Sequence, residues 1–290
     1  MINKEEKRKK QFDVIVMNPP YQNEGRKRGG VCASLTLWDK FVLLAHSLTK
    51  DRGNICAVHP SLWRKPGSDV GAVLLNESQI HYLEIHNEMD GMRTFGAETR
   101  YDWYVATKGK NGNSTIIKGQ DGKTIKIDLS KTPFIPNSAF SLVKKLLAQD
   151  GEDKVQILHS YSDYETRKPW MSKEKKGKFR HPCIYTVPKS GKPNLMWSSK
   201  KSNGHFEIPK VVYSTGRPIS VGIFIDKKGE YGLTQFSSGI VAAPKNLSKI
   251  ARALDSKKFR ELCASLSIGK LEINTNVLAL FRRDFWKEFI

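Results

Sequence analysis

The chain has 290 residues, 39% of them hydrophobic and 10% aromatic, enough for one large domain or two of ordinary size; this excludes a disulfide-stapled miniprotein and wholesale disorder. Its 49 Lys and Arg against 29 Asp and Glu leave a net charge of +20, a field that gathers polyanions, with nucleic acid the first candidate and a purely solubilising basic face the alternative. No run approaches the roughly 20 apolar residues of a membrane span, and no apolar segment follows the charged leader MINKEEKRKK, so a cytoplasmic location with no membrane contact is expected. Cys32, Cys56, Cys183 and Cys263 contain no CxxC pair, and no metal site is expected.

Phe12 to Met17 is short and β-branched, and Asn18-Pro19-Pro20-Tyr21 stops it, since two prolines end a ladder: a buried strand running into a rigid loop. The loop continues through Gly25, Arg26, Lys27, Arg28, Gly29 and Gly30. Apolar residues then recur at helical spacing, predicting a helix from about 35 to 49 that ends at the cationic turn before Gly53. Asn54 to His59 reads as the next strand, closed by Pro60. Val70 to Leu75 reads as a helix and Ile80 to Ile85 as a strand. A turn-rich stretch from Asp90 to Arg100 precedes a strand over Tyr101 to Thr107. Alternating strands and helices predict a parallel α/β sheet over residues 1–110, the last two strands forming a hairpin at its edge. Residues 111–290 differ in texture. Short β-like runs at 114–118, 124–128, 210–213 and 222–225, with helical patterns at 138–147, 247–254 and 257–266, predict a second domain of α+β or mainly β kind.

The tetrapeptide at 18–21 carries chemistry. An exocyclic amino group on a base, such as adenine N6, is a poor nucleophile because its lone pair is delocalised into the ring. Two acceptors aimed at its hydrogens favour a pyramidal nitrogen and expose that lone pair. Asn18 offers a side-chain carbonyl and Pro19 a backbone carbonyl, held stiff because Pro-Pro fixes two successive φ values. Tyr21 offers a face on which a flipped-out base can stack, worth roughly 1–3 kcal/mol. Catalysis would be positioning, with an activated methyl in line with the nitrogen. The plainer alternative is that Pro-Pro merely ends a strand, with Asn18 in a turn and Tyr21 in packing.

FDVIVMNPPYQ resembles motif IV of the S-adenosylmethionine-dependent amino-methyltransferases, specifically the gamma-class N6-adenine DNA methyltransferases of type II restriction-modification enzymes. LWDKFVLLAHSLTKDRGNICAVHPSLWR resembles the helix, glycine and "HPS" strand that follow that motif, and MRTFGAETRYDWYVATK the closing strand pair. IPKVVYSTGRP and LALFRRDFW are similar to pieces of the family's target-recognition domain. The resemblance is strong over 11–108 and loose beyond. It implies a partial Rossmann-like methyltransferase sheet followed by an α+β target-recognition domain, with Asn18, Pro19, Pro20 and Tyr21 as the catalytic loop. NPPY also occurs in methyltransferases acting on a glutamine side chain or on ribosomal guanine, but those usually end soon after the catalytic domain, whereas about 180 residues follow here.

In the family the cofactor lies on a Gly-rich loop upstream of motif IV, because backbone must approach it closely. Only 17 residues precede Asn18, and neither GEYG at 229–232 nor SSG at 237–239 follows a strand and opens a helix with the right glycines. The cofactor-binding residues are unknown. Three readings stay open: one part of a split enzyme whose first strand pairs with a partner polypeptide carrying the S-adenosylmethionine loop, a truncated remnant, or a compact variant. The partner is favoured, because an uncovered central strand would be an exposed edge.

From Ser160 to Gly204, 11 Lys and Arg stand against three acids, interleaved with six aromatics. Arg167, Lys168, Trp170, Lys173, Lys175, Lys176, Lys178 and Arg180, together with Arg26, Lys27 and Arg28, are the expected DNA contacts, cations for phosphates and aromatics for bases. A solvated lysine-rich loop is the alternative. His59, Trp63 and Arg64 are expected to wall the base pocket. The expected function is site-specific adenine-N6 DNA methylation; the rival is a non-catalytic DNA-binding or specificity subunit derived from such an enzyme.

Overall fold

Strand β1 (Phe12–Met17) forms where Val14, Ile15 and Val16 favour extended backbone, and it stops at the two prolines, which cannot donate to a ladder. A computed structural model describes residues 10–22, 36–110, 112, 114–129, 132, 134–215, 222–269 and 275–290. The chain divides into two compact units, Met1–Ser138 and Ala139–Ile290.

In the first unit, α1 (Trp38–Leu48) buries Trp38, Val42 and Ala45 at one-turn spacing and passes directly into β2 (Thr49–Pro60). Helix α2 (Asp69–Asn76), capped by the Ser68 hydroxyl accepting from the Gly71 N–H, leads into β3 (Ser78–His86). Helix α3 (Glu88–Phe95), β4 (Tyr101–Lys108), β5 (Thr115–Lys118) and β6 (Thr124–Ile127) follow. The six strands form one sheet in the order β1-β2-β4-β3-β5-β6. β1 is parallel to β2, β4 is antiparallel to both β2 and β3, and β5 is parallel to β3. Strands β1, β2, β3 and β5 therefore point the same way, and their carboxyl ends lie at one end of the sheet.

Three expectations change here. The stretch at 90–100 contains most of a helix: Asn87 and Asp90 form a reciprocal capping box and Gly96 ends α3 at φ 67°. The strand pair 80–107 is not an edge hairpin, because β4 inserts between β2 and β3. The sequence boundary at 110 falls between two strands of one sheet, since β5 and β6 continue it.

The second unit carries α4 (Phe140–Leu146), β7 (Ile157–His159), β8 (Met171–Ser172), β9 (His181–Thr186) and β10 (Asn194–Ser198). Then come β11 (Lys210–Ser214), β12 (Ile223–Asp226), β13 (Gly232–Leu233), β14 (Ser237–Val241), α5 (Pro244–Asp255), α6 (Lys257–Leu266) and α7 (Thr275–Leu278). Two four-stranded sheets, β13-β9-β10-β8 and β12-β11-β14-β7, meet through Ile184, Val187, Val212 and Leu233. Helix α5 buries Leu247, Ile250, Ala253 and Leu254 and packs on β11 and β12. No helix among the described residues is long and apolar enough to cross a membrane.

Candidate active site and nucleic-acid interface

Asn18 to Tyr21 occupy the carboxyl end of β1, the position where open α/β sheets bind ligands. Asn18 and Pro20 are exposed, Pro19 is buried and Tyr21 is half-buried. The Tyr21 carbonyl accepts from the Leu37 N–H at 3.3 Å and Gln22 pairs with Thr36, so the chain returns beside Tyr21 just before α1. Arg26, Lys27 and Arg28 lie outside the described residues.

The Tyr21 ring meets Phe95 of α3 edge-on, with centroids 6.0 Å apart. Phe95 in turn meets Tyr101 at 4.9 Å, and Tyr101 stacks on His86 at 4.4 Å. Gly91 permits this closeness: a Cβ there would stand 2.0 Å from the Thr99 carbonyl, so any side chain would push α3 from the loop before β4. Phe95 remains 37% exposed, leaving ring surface beside Tyr21. It escaped sequence reading because only the return of α3 across the strand ends brings the two rings together; the Asn87–Asp90 box and Gly96 were the legible signs of that helix.

The Tyr21 hydroxyl is buried and, among the described residues, without a hydrogen-bond partner. Burial, with Tyr101 and Asp102 adding to it, pushes its pKa up to about 12. Tyr21 is thus a neutral ring, suited to stacking and unsuited to proton transfer at neutral pH.

At the same end of the sheet lies a dense polar network. Asp102 accepts from the Ser61 hydroxyl at 2.8 Å, the Trp63 indole N–H at 2.7 Å, and Arg64 Nε and Nη2 at 2.7 and 3.2 Å. Arg64 also donates to the Ile135 carbonyl and to Asn137 Oδ1, both at 2.8 Å. His59 stacks on Trp38 at 5.0 Å; its Nδ1–H donates to the Pro60 carbonyl, which leaves Nε2 to accept from the Tyr104 hydroxyl at 3.3 Å. Burial pushes the His59 imidazole down to about 4, so it is neutral at neutral pH. His59, Trp63 and Arg64, expected to wall the base pocket, are all buried, drawn inward by Asp102 and the aromatic cluster.

In the second unit, Arg167, Lys173, Lys175, Lys176, Lys178 and Arg180 are exposed, and Lys168 and Trp170 are half-buried. Cations here sit on aromatic faces. Lys200 Nζ lies 3.7 Å from the Trp170 ring centroid, with Lys168 at 5.8 Å, and Lys175 lies 5.0 Å from Trp197. The closest of these, Lys200, is one of the 11 cations at 160–204 but not one of the expected DNA contacts. Arg167 pairs with Glu165, so its charge is locally balanced.

The loops at the ends of the parallel strands are Asn18-Pro-Pro-Tyr21, Ser61 to Arg64, the Asn87-capped start of α3 and the Gly119 turn into β6. Among the described residues none of these is a Gly-rich turn opening a helix.

Residues 1–90 match the model of the family described as Eco57I restriction-modification methylase. No curated protein matches the chain. Among solved structures it is similar to the Type IIL restriction-modification enzyme MmeI in complex with DNA, at 9% identity and TM-score 0.47 over 92% of this chain and 45% of that one. It is also similar to the type IIG restriction endonuclease BpuSI, at 11% identity and TM-score 0.38 over 96% and 48%. A type I restriction-modification methyltransferase subunit from Streptococcus thermophilus gives 18% identity and TM-score 0.29 over 43% and 30%. The chain spans less than half the length of each of these structures.

Proposed function

We propose that this chain provides the base-binding half and the DNA-recognition part of a DNA methyltransferase that transfers a methyl group from S-adenosylmethionine to adenine N6. The observation that carries this reading is the exposed Asn18 beside the buried Pro19 at the end of a parallel strand, with a half-buried neutral Tyr21 ring against Phe95. Asn18 Oδ1 and the Pro19 carbonyl accept from the two N6 hydrogens of a flipped adenine, and Tyr21 stacks on it. The similarity of residues 1–90 to a restriction-modification methylase family supports the same reading.

The methyl donor is held by residues other than those described. Strand β1 ends the sheet order with Val14 58% and Val16 76% exposed, an apolar edge of the kind that proteins cover. A further strand, bearing the donor-binding loop and pairing with β1, completes the site and accounts for that edge. Arg167 to Arg180 with Trp170 contact the DNA, and Arg26, Lys27 and Arg28 hold phosphates beside the flipped base.

The rival reading is a specificity subunit that keeps the base pocket without catalysis. Asn18→Ala separates the two. In cells carrying the gene with its flanking genes, the substitution abolishes adenine methylation at the target sites and leaves DNA affinity of the purified chain unchanged. Methylation that persists at wild-type level in the variant removes the catalytic reading.

A further inference from the structure

The second unit holds a cavity of about 850 Å3 between the 151–153 turn, the start of α5 and the segment 282–287. Its charged lining is Lys245, Lys249, Arg282, Arg283 and Lys287 against Glu152, Asp153 and Asp284. Two of the acids are engaged by cations, and Glu152 accepts from the Gln149 N–H at 2.8 Å. Asp284 accepts from Arg282 at 2.7 Å and Lys287 at 2.9 Å, and Asp153 from Arg283 at 3.3 Å. Lys245 and Lys249 stand one helical turn apart on the exposed side of α5, and among the described residues no carboxylate lies within ion-pair distance of either. Like charges at this spacing weaken a helix. Trp286, 8% exposed, forms the floor, with Lys249 Nζ 5.3 Å and Lys287 Nζ 6.0 Å from its ring.

We propose that this cavity is a second DNA-contact site, one that binds the phosphodiester backbone of duplex DNA independently of the cations at 160–204. The proposal rests on the DNA-binding reading above. Lysine ammoniums are point charges that take a phosphate without demanding a fixed geometry, which suits a chain-like polyanion running past an open cavity. The buried indole presents its accessible surface to ammoniums, so the site senses charge and carries no base readout. Its position is separate from the recognition strands. Helix α5 packs on β11 and β12 of one sheet, and the β8–β10 strands belong to the other sheet of the unit, across the Val212 and Ile184 contact.

The test uses the full chain and a fluorescent DNA duplex, with affinity read by anisotropy across a salt series. Lys245→Glu with Lys249→Glu is expected to weaken binding roughly tenfold at low salt and to flatten the slope of log affinity against log salt by about 2, two phosphate contacts at about 0.9 each. Lys245→Arg with Lys249→Arg keeps wild-type affinity. Wild-type binding by the Glu pair, while Lys175→Glu with Lys176→Glu weakens it, overturns this site and leaves the DNA reading intact. Salt-independent or absent binding by the wild-type chain overturns the DNA reading and this proposal with it. A lower melting temperature in the Glu pair, or an equal loss in the Arg pair, also counts against the site.

Discussion

Each unit buries an ion pair, and the two pairs serve different ends. Arg64–Asp102, at 2.7 Å, lies at the same sheet end as Asn18–Tyr21 and ties the turn after β2 to the start of β4 and to Asn137 near the end of the first unit. Lys210–Asp226, also at 2.7 Å, sits inside the second unit, where Lys210 donates to the His205 and Ile208 carbonyls and Asp226 accepts from the Glu230 and Tyr231 N–H groups. The planar guanidinium joins distant segments, whereas the ammonium closes local turns around one strand pair. The first unit thus concentrates its polar groups at one end of one sheet, and the second spreads cations over aromatic faces. Chemistry that depends on a few fixed atoms should fail at single positions, and binding that sums many weak contacts should fail only when several are lost together.

The largest expected effect is at the first pair. Asp102→Ala leaves Arg64 buried without its partner and should lower stability by about 3–5 kcal/mol, read from urea unfolding. A cost below about 1 kcal/mol would show that the network does not hold the corner. Asn18→Ala should lower methyl transfer about 100- to 1000-fold, the range seen when one positioned polar contact to a reacting group is removed, with DNA affinity kept.

His59 gives the next effect. Its imidazole has an ordinary value of 6.5 and is held near 4 when folded, so the unfolded chain takes up a proton first. Its stabilising effect is therefore complete above pH 6.5 and is lost as the pH falls toward about 4, up to about 3 kcal/mol in all. The unfolding midpoint should fall between pH 7 and pH 5 and fall less in His59→Gln; equal slopes would sink the assignment.

Charge reversal at Lys173, Lys175 and Lys176 together should weaken duplex binding tens-fold and lower the salt slope by about 3. Any one of the three alone should change affinity about threefold or less. If one reversal matches the triple variant, recognition is concentrated after all. The smallest effect is at Tyr21→Phe. Among the described residues the buried Tyr21 hydroxyl has no partner, so its removal loses no hydrogen bond, and stability and stacking should not fall by more than about 0.5 kcal/mol, in contrast to Tyr21→Ala.

Local patterns made much of the first unit legible. β-branched residues mark β1, apolar spacing marks α1 and α2, and two prolines mark where β1 gives way to the loop, because each of these depends on neighbours in sequence. Helix α3 stayed hidden although Met89, Met92 and Phe95 recur at three-residue spacing, because Asn87, Asp90, Gly91 and Gly96 read as turn residues, when Asn87, Asp90 and Gly96 are in fact its caps. The edge position expected for the last strand pair failed because pairing partners are chosen by the whole sheet, and β4 fits between β2 and β3.

The sequence by itself determined the Asn-Pro-Pro-Tyr corner, whose stiffness is local, and the excess of positive charge, which is a matter of counting. Only the tertiary structure decided which ring lies beside Tyr21, that His59, Trp63 and Arg64 turn inward, and which lysines rest on tryptophan faces. Those outcomes depend on burial and on contacts between residues far apart in the chain, and both arise only when the sheets close.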